Sequence, residues 1–228
     1  RILAAVGDEG AQLGVAEIGE IDLVELERAA AGVAEGAQRL AVALAEVAIE
    51  IVHVGIDLDR HRIALRRRGA MVRVAFATPD EMPDTLRPLD VLGLVVAPSA
   101  VPAAPDVVVA CDAAEPARLG PLAAAFDAAR VSIMIDHHVS NPGFGHIQLL
   151  DAEAEATVVV AHRVLAALGV PLDVDVARCL YAGLVTDTGG FRTAGQSAHR
   201  LAAELVAAGV EPTTLVRSLL DTHPFAWF

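Results

Sequence analysis

Five short aliphatic runs recur between positions 50 and 136: Ile51–Val54, Val72–Phe76, Leu92–Val96, Val107–Cys111 and Val131–Ile135. They are rich in Val and Ile, whose branching at Cβ stiffens χ1 and favours extended backbone. Near-continuous apolar runs without in-and-out alternation mark strands covered on both faces. Between the last two, Pro121 followed by Leu122–Phe126 fits a helix with proline in its first turn. The expected fold is α/β, a mostly parallel sheet with helices on both faces.

Helical patterning dominates on either side of this region. Asp22 opens an amphipathic stretch with Glu25 in capping-box spacing, and apolar residues then recur every three or four positions to Val47. Four further helices are expected at Thr157–Leu168, Val174–Val185, Ala198–Ala208 and Thr213–Leu220, two of them stopped by Gly169 and Gly209. Thr157 is expected to cap its own helix. The resulting division is an N-terminal helical segment (1–49), a core (50–195) and a helical linker region (196–228).

Charge narrows the function classes. The net charge of −13 disfavours a general nucleic-acid coat, which needs a basic face. Every one of the 17 Lys and Arg residues is arginine. The absence of lysine removes Walker-type phosphate loops, protein-kinase chemistry and Schiff-base catalysis, each of which uses an ammonium. No apolar run approaches the roughly 20 residues that span a bilayer, so no membrane association and a cytoplasmic location are expected. Cys111 and Cys179 read as small buried thiols, too few for a disulfide framework.

Three of the runs end in polar chemistry. The first leads into His53-Val-Gly-Ile-Asp57-Leu-Asp59, the fourth into Asp112, and the fifth into Asp136-His137-His138. A fourth element, Gly183-Leu-Val-Thr-Asp187-Thr-Gly-Gly190, brings an aspartate to the end of an apolar helix. In an open parallel sheet the carboxyl ends of the strands share one crevice, so these groups should converge. Four carboxylates (Asp57, Asp59, Asp112, Asp187) and two imidazoles (His53, His137) exceed what one divalent ion needs, and would repel one another without cations. Mixed carboxylate and imidazole donors suit Mn²⁺, Zn²⁺ or Fe²⁺ better than all-oxygen cations such as Ca²⁺. Two metals sharing a carboxylate also form the clamp used in phosphoester hydrolysis.

The order His-x₃-Asp-x-Asp, a lone Asp ending a strand, Asp-His-His, and Gly-Leu-x-x-Asp-Thr resembles the DHH phosphoesterase superfamily, over residues 50 to 225. Phe76–Pro79, Ile135–Asn141, Tyr181–Leu184 and Asp221–Phe225 resemble its bacterial branch that degrades very short RNAs and dephosphorylates 3′-phosphoadenosine 5′-phosphate. The resemblance implies two divalent ions, with Mn²⁺ favoured and Mg²⁺ or Co²⁺ as alternatives, and hydrolysis by a bridging hydroxide. It implies a first metal held by His53, Asp57 and Asp112, and a second by Asp59, Asp112, His137 and Asp187. It places His138 against the substrate phosphate, with Asp136 orienting a neighbouring histidine. The implied partners are short RNA oligonucleotides or nucleoside bisphosphates, not long duplexes, and a homodimer is compatible with the family.

Two departures keep a second reading open. Ile56 stands where the family has proline, and the segment after Asp59 runs Arg60-His-Arg-Ile-Ala-Leu-Arg-Arg-Arg68 without the family's small pair. Nothing matches the glycine-rich substrate domain found next in the family, so the expected chain is the catalytic DHH domain alone, with the C-terminal substrate domain absent. The alternatives are a degenerate, non-catalytic domain that binds nucleotides or partners, or a phosphoesterase for cyclic dinucleotides, pyrophosphate or single-stranded DNA.

Overall fold

The computed structural model describes residues 71–77, 82–167 and 170–220, together with the backbone of 50–54 and 221. The expected helix over 22–47 and the terminal residues 222–228 lie outside the described residues. Five strands, β1 (Glu50–Val54), β2 (Met71–Ala75), β3 (Val107–Cys111), β4 (Val131–Asp136) and β5 (Ile147–Leu150), form one sheet in the order β2-β1-β3-β4-β5. Every pairing is parallel. The described helices are α1 (Ala123–Ala128), α2 (Thr157–Ala167), α3 (Val174–Asp187), α4 (Gln196–Ala207) and α5 (Pro212–Val216). None of them is long and apolar enough to cross a membrane.

The sheet is sandwiched as its composition requires. β3 and β4 are buried along their whole length, and alternate side chains enter two different cores. Val107, Val109, Cys111, Ile133 and Ile135 pack with α2, α3 and α4. Val108, Ala110 and Met134 pack instead against Leu119, Leu122 and Phe126, from α1 and the 3₁₀ turn before it. Each fully buried aliphatic of this kind contributes about 1.5–3 kcal/mol of transfer free energy. Leu201, Leu205, Val210 and Leu215 bury into the same core as α2 and α3. Both cysteines are buried.

Two expected elements change. Leu92–Val96 forms no strand beyond a single bridge from Val95 to Val74. Gly93 sits at φ +61°, which breaks extension, and the Asp90 carboxylate accepts the backbone N–H groups of Leu94 and Val95 at 2.8 and 3.2 Å. Those amides are then lost to a ladder. Conversely β5, which carries no strong aliphatic run, joins the edge through register with β4, Ile133 opposite Ile147 and Asp136 opposite Leu150. The turn at Pro121 is also tighter than expected. A 3₁₀ segment, Pro116–Leu122, precedes α1, with Gly120 at φ +49° forming the kink.

The remaining helix ends follow local chemistry. Asp173 caps α3 by accepting the Val176 N–H at 3.0 Å. After α4, Gly209 takes φ +105° and its N–H returns to the Val206 carbonyl at 3.0 Å.

Candidate metal centre

The carboxyl ends of β1, β3 and β4 lie side by side, because these strands are neighbours in the sheet. In β1, His53 occupies a register position between Val74 and Val109. Its side chain, and the whole of Asp57 and Asp59, lie outside the described residues. The structure brings together the other five expected residues: Asp112, Asp136, His137, His138 and Asp187.

Asp136 is the buried anchor of the group, with no solvent exposure. Its Oδ1 accepts the backbone N–H of His137 at 2.8 Å and of His138 at 3.3 Å, and lies 2.7 Å from His138 Nδ1. Its Oδ2 accepts Asn141 Nδ2 at 2.7 Å. Burial alone would raise the Asp136 pKa, but the hydrogen bonds from Asn141, His138 and the His137 amide outweigh it and hold the group below the ordinary carboxylate range. With its lone pairs committed to the strand end, Asp136 is a positioning carboxylate.

The two histidines therefore differ in what they can offer. His137 Nδ1 lies 3.0 Å from the Ala154 carbonyl. A carbonyl only accepts, so Nδ1 carries the proton and Nε2 keeps its lone pair. That Nε2 is 3.8 Å from Asp112 Oδ1. His138 spends its Nδ1–H on Asp136 and leaves Nε2 toward solvent, with 36% of its side chain exposed. Burial alone would lower the His138 pKa, yet the Asp136 hydrogen bond and the charges of Asp136, Asp112 and Asp187 raise it. The rings of His137 and His138 stand edge to face with centroids 4.7 Å apart.

Asp112 follows β3 at φ +58°, a left-handed conformation that few non-glycine residues adopt. Its amide still donates to the Ile135 carbonyl at 3.0 Å, so the strand pairing continues while the side chain turns. Atoms of Asp112, His137 and His138 lie within 4.8 Å of one another. Because His138 Nδ1 is engaged by Asp136, the ligand atom left to His138 is Nε2, whereas His137 keeps its Nε2 facing Asp112.

Asp187 arrives from another direction, at the C-terminal end of α3. A carboxylate there opposes the helix dipole by about 0.3–1 kcal/mol. The N-terminus of α2 compensates: the Thr157 backbone N–H donates to Asp187 Oδ2 at 3.2 Å, and Thr157 Oγ1 donates to Asp112 Oδ1 at 2.7 Å. Thr157 is thus not the cap expected from sequence; its hydroxyl serves a neighbouring strand end. After α3 the chain turns sharply, with Gly189 and Gly190 at φ +56° and +72° and the buried Thr188 hydroxyl donating to Leu184 O at 2.6 Å.

Spacing pointed to neither Thr157 nor the Ala154 carbonyl, since both act through tertiary contacts. Asn141 was visible only as part of the motif after His138. Three other described histidines make contacts outside this group. His146 Nδ1 is 2.7 Å from Ser132 Oγ, His162 is 3.8 Å from Glu204, and His199 stacks on Phe191.

No family model matches the chain. It is 36% identical over 118 residues, 51% of its length, to the bifunctional oligoribonuclease and PAP phosphatase NrnA of Thermus thermophilus, covering 35% of that protein. This similarity supports the resemblance to the DHH phosphoesterase superfamily. A second match is the uncharacterized protein MG371 of Mycoplasma genitalium, 27% identical over 106 residues, covering 43% of this chain and 33% of that protein. The chain spans about a third of the length of these curated relatives. In fold, the chain resembles the crystal structure of an exopolyphosphatase-related protein from Bacteroides fragilis. The TM-score is 0.70 at 19% identity, over 83% of this chain and 61% of that one.

Proposed function

We propose that this chain is a metal-dependent phosphoesterase domain acting on short oligoribonucleotides or on the 3′-phosphate of 3′-phosphoadenosine 5′-phosphate. The single observation that carries the reading is the pairing of Asp112 with His137. A carboxylate in a left-handed turn and an imidazole whose tautomer is fixed by Ala154 present ligand atoms 3.8 Å apart. The relative in Thermus thermophilus, named for both activities, supports the substrate class.

The donor chemistry fits a divalent transition metal, with Mn²⁺ as the favoured ion. Asp112, His137 and Asp187 would hold it, joined for a second ion by His53, Asp57 and Asp59. When bound, divalent cations supply Lewis acidity toward phosphoryl oxygens and lower the pKa of water. The chain's own contribution is positional. His138, held protonated on Nδ1 by buried Asp136, offers Nε2 to a phosphate oxygen, where an imidazolium stabilises developing charge or protonates the leaving oxygen.

The test is phosphate and mononucleotide release from a short RNA and from 3′-phosphoadenosine 5′-phosphate in the presence of Mn²⁺, alongside calorimetric titration of Mn²⁺. Turnover that collapses in Asp112→Ala supports the reading. A wild-type protein that binds Mn²⁺ without turning over either substrate is the non-catalytic alternative, and one that binds none removes the metal reading altogether.

A further inference from the structure

Thr157 is fully buried and polar, and it donates to Asp112 and Asp187 through two different donors, with its hydroxyl also 3.5 Å from Asp136 Oδ1. Its hydroxyl donates to Asp112 Oδ1 at 2.7 Å, and its amide, in the first turn of α2, donates to Asp187 Oδ2 at 3.2 Å. Asp112 comes from the end of β3 and Asp187 from α3. Thr157 is thus a common donor to acidic groups from separate elements.

From this geometry we infer that Thr157 is a positioning residue that sets the separation and rotamers of Asp112 and Asp187 and so tunes divalent-metal affinity. The inference rests on the metal-centre reading above. Two neighbouring carboxylates repel each other and would turn apart toward water unless donors hold them. Asp112 also sits in a sparsely populated backbone conformation at φ +58°, which persists only where surrounding contacts fix it. The hydroxyl of Thr157 is a contact of this kind. Groups that orient metal ligands in this manner change affinity or activity by about 10–100-fold when removed.

The same short segment ties the rest of the centre down. Three residues before Thr157, the Ala154 carbonyl fixes the His137 tautomer. Two residues before it, Glu155 accepts the Ser197 hydroxyl and, at 3.2 Å, the Ser197 amide at the start of α4. Residues 154–157 therefore link His137, α4, Asp112 and Asp187 through hydrogen bonds.

The experiment compares Mn²⁺ affinity by calorimetry in the wild type, Thr157→Val and Thr157→Ser, with thermal unfolding recorded for each. Valine keeps the volume and removes the donor; serine keeps the donor. The expected result is a loss of about 10–100-fold in Mn²⁺ affinity for Thr157→Val and recovery of most of it in Thr157→Ser. Wild-type affinity in a folded Thr157→Val overturns the inference, as does equal loss in both variants. If Thr157→Val does not fold, Thr157→Ala is read by the same criterion against Thr157→Ser. A wild type that binds no Mn²⁺ sinks the metal-centre reading itself, a different outcome from a Thr157→Val that binds normally.

Discussion

His138 Nδ1 lies 2.7 Å from Oδ1 of a completely buried Asp136, whose other oxygen is held by Asn141. The pair places a proton-bearing imidazole beside two proposed metal-ligating positions, Asp112 and His137, without using it as a ligand. Replacing Asp136 by Asn leaves the shape but turns one acceptor oxygen into a donor within a ring of four N–H groups. We expect Asp136→Asn to lower kcat by about 100-fold or more, with His138→Gln falling in the same range. Steady-state kinetics on 3′-phosphoadenosine 5′-phosphate check this, and unchanged kcat in His138→Gln would remove His138 from the reaction.

His137 should behave differently from His138. Its Nδ1–H is committed to Ala154 and its Nε2 faces Asp112. Loss of this imidazole in His137→Ala should weaken Mn²⁺ binding by on the order of 100-fold, while His138→Gln stays near wild type. Calorimetry separates the two. Removal of divalent ions with a chelator should abolish turnover, and added Mn²⁺ should restore it.

Glu155 gives a pH prediction. Burial alone would raise its pKa, but the Ser197 hydroxyl and the backbone N–H groups of Glu155, Ala198 and Ser197 lower it below the ordinary value of 4.5. A depressed carboxylate contributes stability that is present above the unfolded pKa and lost as pH falls through the folded one. The contribution is therefore intact at neutral pH and disappears on acidification below about 4.5. Glu155→Gln should flatten this part of the acid limb of a stability profile measured by denaturant unfolding. An unchanged limb would refute the assignment.

Gly145 tests the packing behind the site. It adopts φ +88°, and a Cβ there would meet Phe126 Cζ at 2.9 Å and the Ser132 carbonyl at 3.3 Å. Phe126 is itself wedged edge to face against Phe144 with centroids 5.6 Å apart, so it has little room to retreat. Gly145→Ala should destabilise the fold by about 1–3 kcal/mol. Thermal unfolding checks it, and a melting temperature within a degree of wild type contradicts it.

Much of this protein was legible before any coordinates. The Val and Ile runs at 107–111 and 131–135 were strands because residues of that kind, buried on both faces, have no better conformation. The meeting of Asp112 with Asp136, His137 and His138 came from neighbouring parallel strands that end at one edge. Where a local hydrogen bond competed with the pattern, pattern lost. Asp90 took the amides that Leu92–Val96 needed for a ladder, and β5 formed on the strength of its neighbour rather than its own composition.

Sequence by itself determined which residues are polar at the ends of buried elements, because the hydrophobic effect fixes the elements and chain order fixes the residues just beyond them. Tertiary structure alone decided the task of each polar atom. Alternation along β3 would put Asp112 on the same side as Val108 and Ala110, yet its left-handed φ sends it to the hydroxyl of Thr157 on the opposite layer. The roles of His137 and His138, adjacent and chemically identical, were separated only by whether Nδ1 met the Ala154 carbonyl or the Asp136 carboxylate. Such assignments rest on hydrogen bonds between residues 2 to 45 positions apart, and no local pattern carries that information.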